Sequence, residues 1–94
     1  MSNKIFKYEV CNSAGGLFSK VEMPRGAQIL SVGLQGDSIV LWAMVFPTNH
    51  IVRRNIAIIG TGWDLHDRDI TPENFIGTVF PGSLVFHIFD GGEE

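Results

Sequence analysis

The sequence predicts an all-β domain: a small sandwich or barrel of about seven short, mostly antiparallel strands, with one polar loop or short helical turn. Three observations predict it. Apolar runs of strand length recur at a spacing of about ten residues, parted by Gly, Pro, Asn and Ser. Val and Ile supply 18 residues and Phe another seven, side chains that suit a pleated sheet better than a helix. No ten-residue stretch carries a 3.6-residue apolar period.

The first strand is residues 4–10, with Ile5, Lys7 and Glu9 on one side and Phe6, Tyr8 and Val10 on the other. A turn at residues 12–16 leads to the second strand, 17–23, which ends in the Pro-x-Gly turn Pro24-Arg25-Gly26. The third, 27–34, makes a tight hairpin through Gln35-Gly36-Asp37 with the fourth, 38–46. The fourth is apolar on both faces: Ile39, Leu41, Ala43 and Val45 point one way, Val40, Trp42, Met44 and Phe46 the other. Pro47-Thr48-Asn49 turns into the fifth, 51–59, which Gly60-Thr61-Gly62 ends. Residues 63–74 hold the densest charge, and Thr71-Pro72-Glu73 starts a single helical turn with Thr as N-cap and Pro at its first position. The last hairpin joins 75–80 to 83–89 around Pro81-Gly82. Residues 1–90 form one β domain, and 91–94 a flexible acidic tail.

Composition narrows the function. The formal net charge is −3 and the pI about 5.5, which argues against general nucleic-acid binding. One cysteine, Cys11, excludes an intrachain disulfide. The longest apolar run, 39–46, is far short of the ~20 residues of a membrane helix, and no apolar signal core follows the N-terminus. A cytoplasmic, membrane-free protein is expected. Charged residues are only 18% and mean hydropathy is +0.17. A chain of 94 residues has little interior and should carry more polar surface than average, not less. The fourth and seventh strands, apolar on both faces save for His87, therefore point to burial against another subunit, and a homo-oligomer is expected. A closed barrel whose outer face is covered by its own segments is the alternative.

Candidate chemistry is sparse. Arg53-Arg54 is the one adjacent basic pair, and strand alternation lets just one of them line a given pocket. With an aromatic such as Trp63, an arginine site holds a phosphate and stacks a base. Gly60-Thr61-Gly62 offers backbone N–H groups to an anion but matches no P-loop or dinucleotide fingerprint. His66 sits among Asp64, Asp67 and Asp69 without the spacing of a calcium or zinc site, so no metal is expected. The candidate ligand residues are thus Arg53, Arg54, Thr61, Trp63 and His66, for a small anionic, nucleotide-like ligand. His87 reads as a hydrogen-bonded structural residue and His50 as a surface turn residue. No catalytic spacing stands out, so a non-enzyme without cofactor is expected.

One resemblance adds a context. Lys7-Tyr8, the run from Glu22 to Val32, Leu41-Trp42-Ala43, Gly60-Thr61-Gly62, Ile76-Gly77-Thr78-Val79 and Val85-Phe86-His87 occur in this order. The chain resembles a family of small proteins of tailed bacteriophages and prophages. The resemblance covers nearly the whole chain except residues 63–74, and it carries over no binding or catalytic residue. It implies an accessory protein in the host cytoplasm that sequesters a small nucleotide-like defence signal or binds a host defence protein. A structural or assembly protein of the phage is the first alternative, and a small phosphodiesterase or nuclease the second.

Overall fold

The computed structural model describes residues 2–10, 18–65 and 70–94. The described residues fold as seven antiparallel strands in two sheets. They are β1 (Lys4–Val10), β2 (Phe18–Pro24), β3 (Gln28–Gln35), β4 (Ser38–Val45), β5 (Ile51–Gly60), β6 (Phe75–Val79) and β7 (Phe86–Glu93). One sheet has the order β1-β4-β3, the other β2-β5-β7-β6. β3 packs beside β6 and β1 beside β2, so the two sheets meet along both edges. The result is a sandwich on the way to a flattened barrel, the all-β architecture expected.

Alternation along each strand builds the core. Tyr8 pairs with Leu41 and Leu41 with Val32; Val10 pairs with Ile39 and Ile39 with Leu34. These side chains meet Val21, Met23, Ile56, Ile58, Val79 and Ile88 from the other sheet in one apolar cluster. Leu41, Met23, Ile56 and Ile88 are fully buried, each contributing about 1.5–3 kcal/mol. The sheets approach closely at Gly77, where a Cβ would lie 2.8 Å from Val32 Cγ1.

The turns follow their chemistry. Ala27 N donates to Pro24 O at 3.2 Å, and Gly26 takes φ +79°, as the third residue of a type II turn requires. Gln35 pairs with Ser38 across the two-residue Gly36-Asp37 loop. The helical turn at Pro72–Asn74 is a single 3-10 turn, with Thr71 at the N-cap position and proline at its start.

Two expectations are corrected. First, 91–94 is not a free tail: β7 runs from Phe86 to Glu93, starting three residues later and ending four residues later than a strand over 83–89 would. Its carboxylates and the last backbone amide have partners far away along the chain. Asp90 forks onto Arg54, Glu93 Oε2 accepts from Gly26 N at 2.6 Å, and Glu94 N donates to Arg53 O at 2.8 Å. Second, the apolar outer side of the four-stranded sheet is covered within the chain. Ala57 and Ile59 form a second cluster with Ile70, against which Phe18 and Phe89 pack. On the outer side of β1-β4-β3 Val40 is buried and Lys7 Nζ reaches across β4 to donate to Gln35 Oε1 at 2.6 Å, while Ile5 and Leu30 are 57% and 48% exposed.

Candidate functional site

The end of the barrel where β5 stops and β7 starts carries a two-lobed cleft. One lobe, of about 290 Å³, is lined by Gly60, Thr61, Trp63, Ser83, Leu84 and Phe86. The other, of about 260 Å³, is lined by Glu9, Asp37, Ser38, Pro81, Leu84 and Phe86. Leu84 and Phe86 belong to both. The turn that closes β5 shapes the first lobe. Trp63 N donates to Gly60 O at 3.2 Å, and Gly62 takes φ +88°. That turn folds the Trp63 indole back over Gly60, where a Cβ would come within 2.5 Å of Trp63 Cε2. Phe86 meets the indole edge-on, with ring centroids 6.3 Å apart. Trp63 is nevertheless 56% exposed. An indole seated on glycine backbone, with more than half its surface in solvent, is a ready-made stacking shelf.

Beside the shelf lies a polar relay. His87 stands on β7, opposite Ile59 on one side and Thr78 on the other. Its Nε2 lies 2.7 Å from Thr61 Oγ1 and its Nδ1 3.0 Å from Thr78 Oγ1. A neutral imidazole has one N–H and one lone pair, so one hydroxyl accepts and the other donates. The third member is a neutral hydroxyl where a hydrolytic triad has a carboxylate to stabilise the imidazolium. The relay therefore orients the Thr61 hydroxyl beside the cleft and equips it weakly for nucleophilic attack.

The whole chain, residues 1–94, matches one family description, a domain of unknown function (DUF7352). The chain belongs to the DUF7352 family. No curated protein and no solved structure matches it.

In this DUF7352 domain the expected ligand residues do not form one site. Thr61 and Trp63 share the cleft, while Arg53 and Arg54 lie at the other end of β5, about 20 Å away. His66 falls outside the described residues, as do Cys11, Asp67, Arg68 and Asp69. Arg53 points outward and is exposed, with a loose 3.9 Å contact to Glu94. Arg54 points inward, 12% exposed, and is committed. Its Nε and Nη2 donate to the two oxygens of Asp90 at 2.8 and 2.7 Å, and its Nη1 donates to Ala27 O at 2.8 Å. Burial works to raise the Asp90 carboxyl, but hydrogen bonds from Arg54 and Gly92 and the Arg54 charge outweigh it, holding it below the usual carboxylate range. The Asp90 hydrogen bond holds the Arg54 guanidinium above its ordinary value. Arg54 is thus a structural plug at the end opposite the cleft, unavailable to a phosphate.

Sequence reasoning missed Glu9, Asp37, Ser83 and Phe86 as lining residues. It also missed the pairing of Thr61 with His87. Part of that was within reach: a hairpin centred on Gly82-Ser83 sets Thr78 opposite His87, and the strand that carries His87 was already identified. Among the described residues no group of three His, Cys, Asp or Glu could hold a metal ion, and no helix is long and apolar enough to cross a membrane.

Proposed function

We propose that the chain is a non-enzymatic, homo-oligomeric binding protein that takes the flat ring of a small nucleotide-like ligand onto Trp63. The observation that carries this reading is the exposed indole held on Gly60 at the mouth of a cleft. The Thr61 and Ser83 hydroxyls supply hydrogen bonds at the rim. The described lining offers the anionic half of such a ligand no cation and sets Glu9 and Asp37 in the adjoining lobe. Base and ribose are then the parts bound, and phosphates point to solvent or to a neighbouring subunit. The resemblance to small phage proteins supports an accessory role in the host cytoplasm, with a defence signal sequestered or a host defence protein bound.

Calorimetry against cyclic nucleotides, ADP-ribose isomers and the uncharged nucleosides tests this. Binding is expected at tens of micromolar or tighter, lost in Trp63→Ala. Ligand recovered unchanged after heat denaturation marks binding without turnover. No binding of any member at that concentration defeats the reading. A second reading, a phage assembly protein, is favoured by the exposed Ile5 and Leu30 at the margins of the β1-β4-β3 sheet. Recovery of the protein from purified phage particles would support it.

A further inference from the structure

We infer that the acidic lobe of the cleft takes the 2′,3′-diol of a ribonucleoside through Glu9 and Asp37. The ligand is then a ribonucleoside unmodified at both hydroxyls and open at its 5′ position. This assignment rests on Trp63 as the shelf for the base, but shelf and lobe are separate parts of the cleft, and the lobe can fail alone.

The turn from Pro81 to Leu84 divides the cleft. Leu84 N donates to Pro81 O at 3.1 Å, and Gly82 takes φ +62°. Ser83 lines the Trp63 lobe and Pro81 the other, while Leu84 and Phe86 wall both. A ligand stacked on Trp63 has only these two side chains to cross. The second lobe draws its acids from the opposite sheet. Glu9 lies opposite Val40 near the end of β1, and Asp37 sits in the two-residue loop between Gln35 and Ser38. Facing sheets lie about 10 Å apart, the length of one nucleoside from the edge of its base to its diol. The lobes measure about 290 and 260 Å³. Neither alone reaches the ~300 Å³ at which small-molecule sites begin, and the two joined exceed it. The occupant therefore spans both.

Chemistry selects which part of the ligand enters the second lobe. Ionised carboxylates accept hydrogen bonds and donate none. Among the described residues no cation pairs with Glu9 or Asp37. Lys7, two residues from Glu9 on β1, donates instead to Gln35 Oε1 at 2.6 Å. The occupant must therefore bring donors and must not bring negative charge. A vicinal diol presents two hydroxyl donors side by side, and an acidic side chain is what dinucleotide-binding folds set against a ribose hydroxyl. A phosphate on the 2′ or 3′ oxygen removes a donor and sets like charge against two carboxylates. The diol lies on the face of the furanose opposite C5′, so a diol turned into the lobe turns the 5′ position outward. Groups joined through a 5′-phosphate are then tolerated, and 3′,5′-cyclic nucleotides are rejected. The neutral hydroxyls of Thr61 and Ser83 remain for the edge of the base.

Calorimetry with adenosine and guanosine, their 2′-deoxy, 3′-deoxy and 2′,3′-dideoxy analogues, and their 5′- and 3′-monophosphates tests the lobe. Loss of either hydroxyl is expected to weaken binding about tenfold, the worth of one hydrogen bond to a charged acceptor. Loss of both weakens it further. The 5′-monophosphate binds like the nucleoside, and the 3′-monophosphate at least tenfold more weakly. In Glu9→Ala with Asp37→Ala, both at exposed positions, the thermal melt is unchanged and the nucleoside falls to the affinity of its dideoxy analogue. Glu9→Gln with Asp37→Asn keeps acceptors without the charge, and it narrows the gap between the two monophosphates. Equal affinity for a nucleoside and its dideoxy analogue overturns the lobe and leaves the base on Trp63. A 3′-monophosphate that binds as well as the 5′ form does the same. Failure of every nucleoside to bind overturns the shelf and the lobe together.

Discussion

At the residue scale, Trp63 shows how a single missing side chain makes a site. The indole occupies the space a Cβ on Gly60 would need. Gly60→Ala is therefore expected to displace Trp63 while the cores, built from other residues, stay folded. In a Trp42→Phe background, Trp63 emission should shift to the red and nucleoside binding should fall at least tenfold. Unchanged emission and affinity would show that the glycine seat does not position the ring. The sequence marked Trp63 and Thr61 as ligand residues from their place after a strand. It was silent on the Gly60 seat and on Phe86, because both depend on the turn folding back over its own strand. Arg54 misled for the opposite reason. A basic pair beside aromatics looks like a phosphate site until its carboxylate partner, 36 residues away along the chain, is known.

At the element scale, most of the strands were legible because their alternation is local: β1 was expected at its observed bounds, and β2 to β6 within a residue or so at each end. β7 was not, since Gly91-Gly92-Glu93 has poor strand propensity and enters the sheet through partners on β2, β5 and the Pro24–Gly26 turn. Asp90, Glu93 and Glu94 reach Arg54, Gly26 and Lys20 respectively. Deleting residues 91–94 removes the Glu93 and Glu94 bonds and the last rungs of the β5-β7 ladder. It is expected to cost about 2 kcal/mol in a urea titration, from charge-assisted and backbone hydrogen bonds of about 1–2 kcal/mol each. A frayed tail would leave the midpoint where it is. The two-faced apolar strands also divide by element. On the four-stranded sheet Ile70, Phe18 and Phe89 cover Ala57 and Ile59, and on β4 the outward Val40 is buried beneath a Lys7 side chain that reaches across to Gln35.

At the scale of the whole molecule, the two ends of the barrel differ in chemistry. One is an open cleft with an aromatic shelf; the other is sealed by an inward-facing arginine–aspartate fork. The seal makes stability depend on pH. Because the folded Asp90 carboxyl is held below its ordinary value, its contribution is full above the ordinary carboxylate range. It is lost as pH falls through the depressed folded value. Asp90→Asn is expected to destabilise the protein at pH 7 by about 2–3 kcal/mol. It should also flatten the decline of stability on the acid side. Urea midpoints of both proteins measured from pH 7 down to pH 3 check this, and parallel curves would assign the acid sensitivity elsewhere.

The pairing of β1 with β4 and of β2 with β5 also governs how the chain is born. These two long-range pairings interleave: the β1-β4-β3 sheet closes only once Val45 has been made, and the β2-β5-β7-β6 sheet only near the end of the chain. During synthesis at about 5–20 residues per second, β1 and β2 emerge well before β4 and β5 and have no ladder to join. The hairpin of β3 and β4, joined by the two-residue Gly36-Asp37 loop, forms first and waits for β1 to return to its edge. Folding dominated by such distant contacts runs in milliseconds to seconds rather than microseconds. The nascent chain therefore exposes its stickiest strands longest, at the stage when its own kind is most crowded on the message.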